Sequence, residues 1–516
     1  MNRIYITTPL YYVNAEPHLG HTYTTVLADT LKRYYRSIGY EAFMLTGTDE
    51  HGDKIAQAAA ASGTEPKGYV DRVSKLFRST WDDCGIAYDH FIRTTDSYHI
   101  EFVQSVLQKI FDAGDIYFGE YGGLYCTGCE RFYTEKELVD GKCPDHQTAP
   151  TFISEKNYFF RMSKYQQPLI EVLQSRPDMV RPERYRTEVL AFLREPLEDL
   201  CISRPTSRLQ WGIPLPFDSS YVTYVWFDAL LNYVSALYHR GGDAMSSLWP
   251  HANHLIAKDI LKPHAIYWPT MLMAAGLPLY QHLHVHGYWN MDSGKMSKSL
   301  GNVVRPLEMK ARFGMDVFRY FLLREMAFGQ DAKFSEDALV NRNNADLANN
   351  LGNFVNRVLA MQEKYFDSVI QPLSASWATG DLELRDKFAQ AEHEVQDHMR
   401  ELQFHRALEA IWLALDHANR YIVQTAPFTV IKQAEKKARV GEILHHLLEA
   451  VRALARVLTP FMPDTAAKLQ DLLAINERSL RAPWGQGFEV GHKVKPPKAL
   501  FGRIIKPEAG ELTVGE

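Results

Sequence analysis

The amino-acid sequence predicts an α/β fold, with a mostly parallel sheet domain split by an insertion and followed by an all-α helical bundle. The first fifty residues read as strand, turn, helix and strand. From about 116 to about 220 this pattern gives way to short, Gly-rich and aromatic pieces that carry a cysteine cluster. Beyond about 340, apolar residues recur almost wholly at helical spacing.

In order along the chain, residues 3–8 (RIYITT) have strand character, and 9–18 hold two prolines and an asparagine in a loop. Leu19 to Ser37 carries apolar or aromatic residues at helical spacing, and FMLTG at 43–47 is a second strand. This is the first unit of a Rossmann-like sheet, whose ligands usually lie beyond the carboxyl ends of the strands. Helices follow over 54–62, 66–84 and 97–113, and the first half of this domain is 1–115. An inserted connective domain takes 116–220, with segments such as NYFFRM and RLQWGIPLPF. The α/β pattern resumes over 221–291, where HLHVHGYW at 282–289 reads as a strand.

A polar, glycine-containing loop opens the segment 292–345, and a helical domain occupies 346–480. Val440, Ile443, Leu447, Val451, Leu454 and Leu458 mark one apolar stripe, and Phe404, Leu408, Ile411, Leu415 and Ile422 another. Both are the core faces of bundle helices. The segment 481–516, with Pro, Gly and Lys in mixed order, is expected to pack back on the body as an irregular arm.

Composition narrows the class. The chain has 516 residues, 46% of them hydrophobic and 23% charged, which excludes a disordered polymer. With 57 Lys and Arg against 62 Asp and Glu, the net charge of -5 does not suit a protein that coats nucleic acid nonspecifically, though a local basic surface remains compatible with RNA. The start, MNRIYITTPL, lacks the pattern of a signal peptide, and no apolar run approaches the roughly 20 residues of a membrane span. A soluble cytoplasmic protein with no membrane partner is expected, in a reducing compartment where clustered cysteines hold metal more often than a disulfide.

Several constellations carry chemistry. Pro17-His18-Leu19-Gly20-His21 lies where loop becomes helix. Helix N-terminal amides attract anions, Gly20 would let a flat ligand approach the backbone, and His18 and His21 could donate to phosphate oxygens; taken alone, two histidines three apart also fit an ordinary surface or capping pair. Lys295-Met296-Ser297-Lys298-Ser299 sits between Gly294 and Gly301, where two lysines and two serines suit a polyphosphate. Cys126, Cys129, Cys143 and His146 form two short pairs joined by a loop, the spacing of a tetrahedral structural zinc site. Asp145 is an alternative fourth ligand, while His146 completes the second pair symmetrically. Asn353 and Arg357, at i and i+4, share one helix face.

The histidine and lysine motifs, separated by a large insertion, closely resemble those of the class I aminoacyl-tRNA synthetases. TTPLYYVNAEPHLGH at 7–21, the GTDEHG stretch at 47–52, YVWFDA at 224–229 and His286-Gly287-Tyr288 sharpen the resemblance to the methionyl-tRNA synthetase family, bacterial type with a single zinc knuckle. It runs from about residue 3 to at least 470. It implies ATP-dependent activation of L-methionine to methionyl-adenylate and transfer of the methionyl group to tRNA(Met), initiator tRNA included.

Residue by residue, the resemblance implies that His18, Gly20 and His21 cradle ATP and stabilise the transition state. Lys295, Ser297 and Lys298 would hold the leaving pyrophosphate, with Mg2+ accompanying ATP. The segment 292–345 becomes the KMSKS loop and stem-contact region. The methionine pocket maps to Leu10, Tyr12, Asp49, Trp226, Ala229, Tyr233, Ile260 and His264, with Asp49 pairing the substrate ammonium and the aromatic rings enclosing a polarizable sulfur. One structural zinc is implied at the cysteine cluster.

In the helical domain, Asn353 and Arg357 match the family pair that reads the CAU anticodon. The family's tryptophan after a proline is here Phe428 after Pro427, which keeps stacking and loses an N–H donor. The chain's end leaves no room for the extra oligonucleotide-binding domain of longer members, so a monomer is expected. A class I synthetase for an aliphatic or thiol amino acid, or a noncatalytic RNA-binding paralogue, are the competing readings. The first would be expected to carry a larger insertion or a pocket zinc, and this sequence shows neither; the second would be expected to lose a phosphate motif or Asp49, and all are present.

Overall fold

A computed structural model describes residues 2–126, 131–133, 135–144, 147–291, 303–489, 491–505 and 513–514. By packing, the chain divides into two units, Met1–Gly287 and Tyr288–Glu516.

The first unit is built on a seven-stranded sheet among the described residues. Strand Arg3–Thr7 runs between Glu41–Asp49 and Ala252–Ala257, with Tyr5 opposite both Phe43 and Ala252. His282–His286 follows on the far side, and Tyr11–Tyr12 and His90–Arg93 both pair with Glu41–Asp49. These pairings are all parallel. Accordingly, Glu41–Asp49 is buried at every position but its first, as a strand covered on both faces must be. Helices Leu19–Ser37, Asp53–Ala61, Pro66–Asp83 and Ser97–Asp112 match the periodicity of the sequence.

The inserted stretch builds antiparallel sheets instead. Ile116–Cys126 pairs with Thr151–Phe160 from Ile116↔Phe160 to Tyr125↔Thr151, flanked by Arg131–Tyr133 and Leu200–Cys201. It does not stand apart throughout 116–220. Val180–Arg181 returns to the parallel sheet beside His282–His286, with Val180 opposite Leu283. Leu169, Leu173, Tyr185 and Val189, on helices Gln166–Ser175 and Glu183–Phe192, are buried in the main core. A two-residue strand leaves no periodicity, so composition does not separate it from the surrounding insertion.

The second unit is mainly helical. Its first residue is Tyr288, so the expected division at 291/292 falls between Gly287 and Tyr288. The expected division at 345/346 lies inside one helical run, Glu336–Arg342, Asn343–Gly352 and Asn353–Phe366, whose middle piece is wound as a π-helix. No turn residue interrupts it, so the bundle takes in residues before 346. Both apolar stripes, on Phe404–Thr425 and Lys437–Leu458, are buried.

The buried Arg452 pairs with Glu449 and donates to the carbonyls of Ser479, Leu480 and Ala482, while Trp484 Nε1 donates to His446 Nδ1 at 3.1 Å. The start of the C-terminal arm is thereby tied to the bundle through Ala482 and Trp484. Among the described residues, no helix is long and apolar enough to cross a membrane.

Candidate functional site

His18 is the N-cap of helix Leu19–Ser37. Its extended backbone (φ -135°) lets Nδ1 accept the Gly20 N–H at 3.1 Å, and the His18 N–H in turn donates to His21 Nδ1 at 3.3 Å. The two imidazoles therefore form a capping box and stack with centroids 3.8 Å apart. With both Nδ1 atoms accepting backbone protons, each neutral ring carries its own proton on Nε2. Such an N–H is what a phosphate oxygen requires, at a helix start whose first turn holds no acidic residue. A side chain at position 20 would place its Cβ 3.1 Å from the His18 ring, which would have to shift by a few tenths of an ångström to make room. His21 is held from behind by Tyr11 and Phe77.

The methionine candidates lie at the carboxyl ends of these strands and on the helices after them. Tyr12 stands opposite Asp49, the last residue of its strand and nearly buried. Tyr12 donates its hydroxyl proton to the His51 carbonyl at 3.0 Å. Trp226 and Ala229 lie on helix Val225–Leu230, and Tyr233 on Asn232–Arg240. Ile260 ends the turn Lys258–Ile260, and the π-wound stretch Pro263–Tyr267 carries His264. The Tyr233 hydroxyl is 2.8 Å from His264 Nε2, and the Trp226 ring stands perpendicular to His264 at 6.0 Å. Burial pushes the His264 imidazole down to about 4, so it stays neutral. Leu10, Trp226 and Ile260 are partly buried against the main core. Tyr12 and Asp49 thus form one group, and Trp226, Tyr233, Ile260 and His264 another.

Sequence reading passed over the charges that hold these pieces. Glu50, fully buried, takes a bidentate pair from Arg93 at 2.7 and 2.8 Å and hydroxyl bonds from Thr48 and Thr95. Asp228, also fully buried, is bridged by His51 Nδ1 at 2.7 Å and His99 Nε2 at 2.8 Å. Burial raises the affinity of Asp228 for a proton, but the field and bonds of the two imidazoles outweigh it and leave the carboxyl below its usual range. Glu50 and His51 lie in the 47–52 stretch and Asp228 in the 224–229 stretch that carry the resemblance, without a role of their own there; nothing local marks His99.

Of the cysteine cluster, Cys126 and Cys143 are buried together against Tyr133, whose hydroxyl is 3.3 Å from Cys143 Sγ. Cys129, His146 and Asp145 lie outside the described residues, as do Lys295, Ser297 and Lys298. Among the described residues no group of three metal-ligating side chains occurs. In the second unit, Asn353 is exposed and Arg357 half-buried at the start of helix Asn353–Phe366. Phe428 is 46% exposed beside the buried Pro427. A ring exposed to this extent is open to stacking with a base.

The family described as "tRNA synthetases class I (M)" matches residues 4–149 and 146–359, and "Anticodon binding domain of methionyl tRNA ligase" matches 371–513. The methionine–tRNA ligase of Caldanaerobacter subterraneus is 45% identical over 98% of this chain and 80% of its own length. That of Deinococcus radiodurans is 44% identical over 99% and 76%. Among solved structures, Mycobacterium tuberculosis methionyl-tRNA synthetase in complex with methionyl-adenylate superposes with a TM-score of 0.92 at 38% identity, covering 97% of this chain and 100% of that one. Its apo form gives 0.87 at 35% identity, over 98% and 99%.

Proposed function

The chain belongs to the class I methionyl-tRNA synthetases, and on that premise we propose how its own side chains divide the reaction. The enzyme activates L-methionine with ATP to methionyl-adenylate, releasing pyrophosphate, and transfers the methionyl group to tRNA(Met), releasing AMP.

Attack of the methionine carboxylate on the α-phosphorus needs charge neutralisation and alignment more than an acid or a base. His18 and His21 donate from Nε2 to phosphate oxygens, at the helix start that Gly20 keeps open. Lys295, Ser297 and Lys298 take up the charge of the departing pyrophosphate. Mg2+ bound with ATP would supply further neutralisation of phosphate charge. Asp49 pairs with the substrate ammonium. Leu10, Tyr12, Trp226, Ala229, Tyr233, Ile260 and His264 enclose the thioether, choosing an unbranched, uncharged side chain by shape and by aromatic contact with sulfur.

Cys126 and Cys143, both buried in one cluster with Tyr133, suit a structural zinc completed by Cys129 and His146. A zinc ion held by these four residues would cross-link the segments that carry them. Asn353, Arg357 and Phe428 read and stack the anticodon bases of tRNA(Met), initiator tRNA included. Such an enzyme works as a monomer in the cytoplasm, where its tRNA is charged.

The observation that carries this division is the imidazole capping box, which fixes the donor nitrogen of each histidine. His18→Ala and Lys298→Ala should each lower the turnover of methionine-dependent pyrophosphate exchange by about a hundredfold or more, with little change in the KM for methionine. Unchanged turnover in folded variants would remove these residues from the chemistry.

A further inference from the structure

We propose that Asp228 is a positioning residue for methionine recognition, its buried carboxylate holding the element that bears Asp49 at a fixed distance from the helix that bears Trp226. The inference rests on Asp49 and Trp226 contacting methionine, as proposed above.

The ammonium and the thioether of one substrate molecule must be met at once by side chains from separate elements. Asp49 ends strand Glu41–Asp49, while Trp226 sits on helix Val225–Leu230, 177 residues further on. The link between them passes through Asp228. Its Oδ2 meets His51 Nδ1 at 2.7 Å, two residues beyond Asp49, and its Oδ1 meets His99 Nε2 at 2.8 Å on helix Ser97–Asp112. His99 Nδ1 is in turn 2.8 Å from Ser235 Oγ, on the helix that carries Tyr233.

Each partner is independently held. The His51 carbonyl accepts the Tyr12 hydroxyl, its ring leans on Trp211 at 5.4 Å, and Trp211 Nε1 donates to the Glu50 carbonyl at 2.6 Å. A fully buried carboxylate with both oxygens occupied by imidazoles is costly to displace, so it sets the spacing rather than following it. Asp228 touches no reacting atom in this account. It acts through His51 and through its own helix.

The test is pyrophosphate exchange with KM measured separately for methionine and ATP, in Asp228→Asn and in Ser235→Ala, beside Asp49→Asn and Trp226→Ala. Asp228→Asn keeps the shape, but one imidazole must change from donor to acceptor. It should raise the KM for methionine about tenfold, with the KM for ATP within about twofold of the unsubstituted enzyme. Ser235→Ala, a smaller change at the end of the chain of bonds, should raise it about twofold to threefold with its melting temperature nearly kept.

A merely structural role would instead lower melting temperature and yield with both KM values unmoved or moved alike, and that result overturns the proposal. If Asp228→Asn does not fold, an unmoved KM for methionine in Ser235→Ala overturns it. If Asp49→Asn and Trp226→Ala leave the KM for methionine unchanged, the pocket assignment itself fails. If they raise it and the Asp228 and Ser235 variants do not, only the present inference fails.

Discussion

The hydroxyl of Tyr233 donates its proton to Nε2 of His264 across 2.8 Å, because the other ring nitrogen, Nδ1, faces the Ile260 carbonyl at 2.9 Å and must itself be the N–H there. The geometry fixes a neutral tautomer, and burial drives the imidazole down to about 4.

A pH dependence follows. An unfolded histidine titrates near 6.5, well above the folded value, so between pH 6.5 and pH 4 the unfolded chain binds the extra proton. Stability is therefore complete above about pH 6.5 and falls as pH drops through that window, with His264 accounting for about 2 kcal/mol between pH 7 and pH 5. Urea unfolding at both pH values should show a smaller loss in His264→Gln than in the unsubstituted protein. Equal losses would mean that His264 is not held neutral.

Gly47, in the middle of strand Glu41–Asp49, has no space for a side chain. A Cβ there would lie 1.9 Å from the backbone oxygen of Ile92 on the neighbouring strand. Because the obstructing carbonyl belongs to the backbone of Ile92, relief requires separating the strands that place Asp49. Gly47→Ala should cost about 3 kcal/mol or more and appear as lost soluble yield or a lowered thermal midpoint. A variant melting like the unsubstituted protein would contradict the packing described.

The Arg452 guanidinium pairs with the buried Glu449 and caps the carbonyls of Ser479, Leu480 and Ala482. Arg452→Met leaves Glu449 buried without its cation, a loss of about 3–5 kcal/mol. Limited proteolysis should then cut first around 477–489, before the bundle helices. Cleavage elsewhere first would show that the arm is anchored by other contacts.

If Cys126 and Cys143 hold a structural zinc, elemental analysis of the purified protein should find one zinc per chain. Cys143→Ser should lose most of it, and chelation should lower the thermal midpoint. Zinc retained in full by Cys143→Ser would exclude that residue as a ligand.

The legible part of this molecule was the part written in repetition. The helix from Leu19 to Ser37 and the stripe from Val440 to Leu458 repeat their period over several turns, so sequence spacing found both. Val180–Arg181 is too short to show any period, and its place in the parallel sheet depends on pairing with residues about a hundred positions later. At the candidate site, the motif His18-Leu19-Gly20-His21 was visible as a string, but the reciprocal bonds that choose each proton position are not. His99 reaches Asp228 across 129 residues, and only folding brings the two together.

The most direct measurement is exchange of labelled pyrophosphate into ATP with methionine, leucine, isoleucine, valine and cysteine supplied one at a time. The account predicts exchange with methionine and none above background with the others. Exchange with leucine or another of these amino acids, or none with methionine in folded protein, would contradict it.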